Sequence, residues 1–383
     1  MTTTMARRAE AFGVYRIALW INLLALAVIT IHRAAWPLPD SEYVHRLVSY
    51  EHGLIRRGLV GEIYSWFTDL VPPWAVRLEG FTAILVALGL YAAIFARTYR
   101  TGRLETLVLG CFLFGSPLLF KNFVGNLGKF DILGAGVAML AVLLPLRGRS
   151  WWLIGAASSL LLFVHHVHAT IYVPTIYGIL AIRSIGASGR IDATLFWRMG
   201  VSLILLACLF VYLLASTAAM VPEEEFLEGL HARAMQPVPA RLVMMWYSTI
   251  GEEFRQSLTM FPGHARRAPV YAAIVLIHLP LILFLARRVQ AFRTRVPLAY
   301  YSYLGIAGVV LLGFLVTNVI TFDYARHLGN LALCFILLTQ AQIVAVDGPV
   351  TDAADIEPGN RYVMAAALAV AALPWVGVVY PIL

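Results

Sequence analysis

The chain has 383 residues, 60% of them hydrophobic and 13% charged, with a mean hydropathy of +0.78. A soluble domain carries about 25% charged and about 45–50% apolar residues, so a soluble enzyme, a nucleic-acid binder and a disulfide scaffold are excluded. The net charge of +8 comes from 29 basic against 21 acidic residues, and only Lys121 and Lys129 of the basic set are lysines.

The apolar sequence falls into blocks of about 17–25 residues, the length that crosses a hydrocarbon core about 30 Å thick. The pattern predicts an all-α, polytopic membrane protein, a single integral domain over 1–383 with about eleven transmembrane helices. These lie at 17–35, 74–96, 104–121, 131–147, 151–167, 169–182, 198–219, 270–286, 300–320, 328–346 and 363–382. Trp151 to Ile182 is short for two crossings, so it is either a tight hairpin of short or tilted helices or one kinked span. Cys111, Cys208 and Cys334 sit inside apolar blocks and read as small core residues. No cleavable signal is expected, because the first block follows a short basic start and lacks a small-residue cleavage site.

Basic clusters decide orientation through the positive-inside rule. With eleven spans, Arg97/Arg100/Arg103 and Arg287/Arg288/Arg293/Arg295 fall on the inner side together with the N-terminus. The two long connections, 36–73 and 220–269, then fall on the outer side, as do nine of the ten histidines. The working face is expected outside.

The first outer loop predicts two short interfacial helices. Ser41 is the expected N-cap of the first, with Glu42 in its first turn. Leu59, Val60, Ile63, Phe67 and Leu70 line one side of the second. Between them Glu51, His52, Arg56 and Arg57 stand among glycines. Paired guanidiniums match phosphate oxygens, or they snorkel to ordinary headgroups. Both lysines flank the turn Lys121–Asp131, against the positive-inside bias. Lys129 and Asp131 either pair with each other or present charge to an anionic ligand.

His165, His166 and His168 invite a metal reading. On a helix, however, only His165 and His168 share a face, and hydrogen-bonded histidines explain them as well. Asp323, Arg326 and His327 share a helical face, either as a local Asp323–Arg326 pair or as an arginine facing the same outer cavity. In the second long loop Pro222 and Glu223–Glu225 form a helix start, and Thr249 to Glu252 match a capping box. No P-loop, dinucleotide fingerprint, zincin motif or nucleophile elbow is present, which argues against ATP-driven transport.

This arrangement resembles the polytopic envelope-glycan transferases, namely the GT-C type glycosyltransferases and the related lipid-linked oligosaccharide polymerases. The likeness rests on about eleven spans, a first outer loop with acids and an arginine pair, and charged groups ending later spans on the same side. It implies a polyprenyl-phosphate-linked sugar donor, a glycan or lipid acceptor, and membrane lipids as surroundings, with no nucleic acid. The setting would be a bacterial inner membrane, with the N-terminus cytoplasmic and the active face periplasmic. The family's first-loop acid would be Asp40 or Glu51. Phosphate would fall to Arg56, Arg57, Lys121, Lys129 and Arg326, with His52, His166, Asp131, Asp323 and His327 lining the site. No metal ligand set is implied, and the only cofactor the chemistry leaves room for is a divalent cation, Mg or Mn. In the polymerase type, Arg241, Arg255, Arg266 or Arg267 would join Arg56/Arg57. The chain lacks the Asp-Asp pair and the large soluble outer domain of some GT-C families. A transporter or flippase is the alternative from a different class, and a structural scaffold comes third.

Overall fold

The computed structural model describes residues 2–100, 102–215, 221–321, 323–346 and 356–375. All regular elements among them are helical, apart from an isolated bridge between Val71 and Ala234. The first half holds α1 (Thr2–Ala35), α2 (Asp40–Leu47), α3 (Leu59–Ser65), α4 (Pro73–Thr98), α5 (Leu104–Gly115), α6 (Phe120–Gly125), α7 (Asp131–Leu143), α8 (Gly148–Val164) and α9 (Tyr172–Ser188). The second half holds α10 (Ala193–Ala215), α11 (Glu223–Arg233), α12 (Ile250–Ala265), α13 (Ala268–Ile277), α14 (Leu279–Arg295), α15 (Pro297–Ile320), α16 (Tyr324–Val346) and α17 (Arg361–Ala372).

Seven helical segments are long and apolar enough to cross a membrane, or eight if α13 and α14, bent by 64° at His278, count as one. α7, α8 and α17 are apolar but shorter. Each expected span overlaps one of these segments, although the last residues of the seventh and eleventh lie outside the described residues. Residues 151–182 divide into two helices, α8 and α9, separated by a break that holds the three histidines.

α16 is the axis of the bundle. It packs on α9, α7, α15 and α14, while α1 packs on α17 and α5. Its central residues Leu333, Cys334, Leu337, Leu338 and Ala341 are fully buried. α1, α10 and α15 instead turn large apolar side chains outward, among them Trp20, Leu24, Phe196, Leu205 and Leu312. Apolar faces this continuous suit a hydrocarbon surrounding, where helices satisfy their own backbone polar groups. Cys208 lies on the exposed side of α10 rather than in the core.

The two long connections fold together at one end of the bundle, so the short helices of the first pack against the second. α2 buries Tyr43, Val44 and Leu47 against Phe226 and Leu230 of α11, together with Val243 and Trp246 of the turn Ala240–Trp246. The Tyr43 hydroxyl closes this small core, donating to the Val71 carbonyl at 2.6 Å and accepting from the Met235 amide. Close approach needs a glycine at 61, where a Cβ would sit 1.9 Å from the Val48 carbonyl oxygen. Pro39, not Ser41, is the N-cap of α2, and the Ser41 hydroxyl donates to the Glu42 carboxylate at 2.5 Å. α3 ends at Ser65, so Phe67 and Leu70 stay exposed. The Thr249–Glu252 capping box forms as expected and starts α12.

Candidate functional site

Five segments meet beneath this cap: α2, the 50–58 loop, the 128–131 turn, the break at 165–171, and the start of α16. Phe130 marks the junction. Its ring lies 5.6 Å from that of His45 and 6.4 Å from that of His165, with the Arg46 guanidinium 4.3 Å over it. Arg46 is 1% exposed and holds the site's floor, donating to Glu79 at 2.7 Å and to the carbonyl of Gly128 at 2.6 Å.

Arg56 and Arg57 face different tasks. Arg56 is buried and donates to Glu253 at 2.9 Å and to the carbonyls of Met245 and Ser248, while Trp246 donates to its own carbonyl. Through Nη2 it staples the first long loop to the second, while its Nε and Nη1 are buried without partners. Arg57 takes a left-handed backbone conformation, φ 64°, the only non-glycine residue to do so among the described residues. Its guanidinium reaches His45 Nε2 at 3.4 Å and Met245 Sδ at 3.2 Å. Its Nε is buried without a partner, and among the described residues it has no ion-pair partner. Burial first, then the neighbouring Arg56, pulls its pKa down to about 10. The field of Glu253 offsets part of this, and a bound anion would offset more.

His45 is nine-tenths buried, and its Nδ1 lies against the Ser41 carbonyl. Burial, followed by the charges of Arg57, Lys129 and Arg46, holds its pKa well below the ordinary imidazole range. The ring is thus neutral, with Nδ1–H donating to Ser41 and Nε2 accepting from Arg57.

Around Arg57 lie two ion-paired groups. Lys129 meets Glu42 at 3.2 Å and Ser41 Oγ at 3.3 Å, so Asp131 is not its partner. Asp131 instead pairs with Arg326 at 2.5 Å and accepts from the Asn330 amide, whose oxygen accepts from Tyr172 at 3.0 Å. Arg326 also holds Asp323 at 2.7 Å, as the helical spacing predicts. Burial alone would raise the pKa of Asp323, but Arg326, Lys129 and His327 outweigh it and hold it below the carboxylate range. Arg326 lies within electrostatic range of Arg57, as do His165 and His166. His166 and His168 are buried with Nδ1 and Nε2, respectively, unpartnered. His327 is fully buried beside Thr321 and Asn318.

Four of the expected residues sit elsewhere. Lys121 is fully buried and donates to the carbonyls of Val370, Ala371 and Leu373, so it closes the C-terminus of α17 instead of facing a ligand. Glu51 is exposed, lining a separate cleft with Glu62, Asp69 and Arg233. His52 packs on Phe226 of α11, ring centres 5.1 Å apart. Asp40 opens α2 half-buried, with no side-chain partner among the described residues. Of the polymerase-type arginines, Arg241, Arg255 and Arg266 are exposed.

Among the described residues no three His, Cys, Asp or Glu side chains are grouped as metal ligands. No protein-family model matches this chain, and no curated protein or solved structure is similar to it.

Proposed function

We propose that this protein is an eleven-span glycosyltransferase of a bacterial inner membrane. It transfers a sugar or oligosaccharide from a polyprenyl-(pyro)phosphate carrier on the periplasmic face, in envelope polysaccharide or glycolipid synthesis. The observation that carries the reading is Arg57, a half-buried guanidinium that makes no salt bridge among the described residues, held in a left-handed backbone conformation among ion-paired neighbours. Strain of this kind is stored where surrounding structure over-determines it, and functional sites are where it collects.

In this reading Arg57, helped by the fields of Arg326 and Lys129, receives the donor phosphate. The bond between the anomeric carbon and the phosphate oxygen breaks, and the electron pair stays on the phosphate, where cations stabilise it. The acceptor oxygen bonds to the anomeric carbon and releases its proton to water past Asp323. Asp323 is ionised and, at 40% side-chain exposure, the most open carboxylate of the cluster. It orients the acceptor hydroxyl, in place of Asp40 or Glu51. An oxocarbenium-like transition state asks for little prior deprotonation, which suits a carboxylate held this acidic.

The test is consumption of a polyprenyl-phosphate-linked sugar by purified protein in nanodiscs, read as released lipid phosphate. Arg57→Ala and Asp323→Asn should each lose turnover by about 100-fold or more, with Asp40→Asn and Glu51→Gln near wild type. Full turnover in Arg57→Ala would refute the assignment.

A flippase or transporter is the second reading, and one observation favours it. The bent α13–α14 span meets the junction of α5 and α6 through a buried hydrogen bond of 2.9 Å between Ser116 Oγ and His278 Nε2. A broken helix with a polar contact at its break is a transporter feature. Binding of the lipid-linked sugar without turnover would decide for it.

A further inference from the structure

Two cavities adjoin at Thr170 and Phe210. The smaller, about 60 Å³, lies between His166, Glu253 and Thr321, directly beside the residues that flank Arg57. The larger, about 730 Å³, is a groove between α9, α10 and α15 that runs on to Ile185 and Ile191. From Val173 to Ile185 the α9 wall rises about 18 Å, more than half of a hydrocarbon core about 30 Å thick. The walls are almost wholly apolar. Along α9 they follow Val173, Tyr177, Ala181 and Ile185 at helical spacing. Thr170 stands at the upper mouth, where it shares a hydrogen bond of 2.6 Å with Thr317, and Tyr177 and Ser302 are the polar side chains further along the wall.

We propose that this groove binds the hydrocarbon tail of the same molecule whose anionic head reaches Arg57. The inference rests on the anion-site reading above, and it assigns the ligand as an amphiphile with a long chain and a phosphate head. The continuity of the two cavities argues for it, since Thr170 and Phe210 line both. Arg57 lines neither cavity but lies within electrostatic range of His166 in the wall of the smaller one, and that argues for an anionic head. The depth argues for a tail of many carbons, because each buried methylene adds to affinity. Gly200 and Gly305 line the groove, and a Cβ on either would meet open space. Larger side chains there fill the groove without clashing with the protein.

The experiment measures binding of a long-chain polyprenyl phosphate and of short, water-soluble citronellyl phosphate to full-length protein in detergent. Wild type should bind the long chain at least about tenfold tighter, a gain that two or more buried methylenes supply. Gly200→Leu with Gly305→Phe should erase that advantage and leave citronellyl phosphate affinity unchanged. Arg57→Ala should weaken both ligands. A tail advantage that survives the filled groove overturns the inference but leaves the anion site standing, whereas wild type binding neither ligand overturns the anion site itself. As a check independent of variant folding, a photoreactive group at the far end of the tail should label α9, α10 or α15. Labelling confined to other helices, or equal competition by phosphatidylglycerol, also overturns the assignment.

Discussion

Arg56 and Arg57 are adjacent in sequence and opposite in what their removal does to stability. Arg56→Met withdraws a guanidinium from Glu253 and from two carbonyl oxygens. Breaking a buried pair from one side costs about 3–5 kcal/mol. Glu253 keeps 18% side-chain exposure and a donor in Ser248 Oγ at 3.1 Å. The expected loss is therefore at the lower end, about 3 kcal/mol. Arg57→Gly removes a half-buried charge that makes no salt bridge among the described residues and puts glycine at φ 64°. A left-handed residue with a side chain carries about 1–2 kcal/mol of strain. Glycine returns part of that, about 0.5–1 kcal/mol, in unfolded-state entropy. Relief of the unpaired charge adds to the remainder, giving a net gain of about 1 kcal/mol. Thermal unfolding in nanodiscs, followed by tryptophan fluorescence, should move down for Arg56→Met and up for Arg57→Gly. Binding of citronellyl phosphate should be lost only in Arg57→Gly. An Arg57→Gly protein that is less stable than wild type by about 1 kcal/mol or more, against the strain and charge argument, would refute the reasoning.

Three further outcomes are expected. Asp131→Asn and Arg326→Gln, made singly and together, should show a coupling of about 1–3 kcal/mol in a double-mutant cycle, and additivity would dissolve the pair. Lys121→Met should destabilise by about 2 kcal/mol through three abandoned carbonyls at a helix C-terminus, with ligand affinity unchanged. A loss of affinity in that variant at full folding would return Lys121 to the site. His45 is depressed in the folded state, so its contribution is complete above its unfolded pKa of about 6.5 and is lost as pH falls below that value. Stability measured from pH 8 to 5 should drop on the acid side, and His45→Gln should flatten that limb.

The helical layout was legible because each apolar block is long, and length alone fixes where helices can cross. The break at 165–171 was legible from charge instead, since two helices in Trp151–Ile182 keep the Arg287–Arg295 cluster on the same side as the other basic loops. The packing of α2 against α11 was not. Tyr43, Val44 and Leu47 read equally well as a face for lipid and a face for protein, and the partner lies about 180 residues away. Charge partners followed the same division. The Asp323–Arg326 pair lies within one helical turn and was visible, whereas Asp131–Arg326 and Arg56–Glu253 span 195 and 197 residues. Glu42 reads as a helix-start acid, and nothing local in the sequence marks Glu253 or Arg46 as partners of distant charges. Asn330 carried a readable signal, since it continues the polar stripe of Arg326 and His327 one turn along an otherwise apolar helix.

The Arg56–Glu253 contact also sets an order of assembly. A ribosome adds about 5–20 residues per second, so the 197 residues between the two take about 10–40 s to appear. For most of that interval α2 and the 50–58 loop are without the Phe226 and Trp246 side chains that cover them in the finished protein. The first long loop must therefore wait for a partner that has not yet been made.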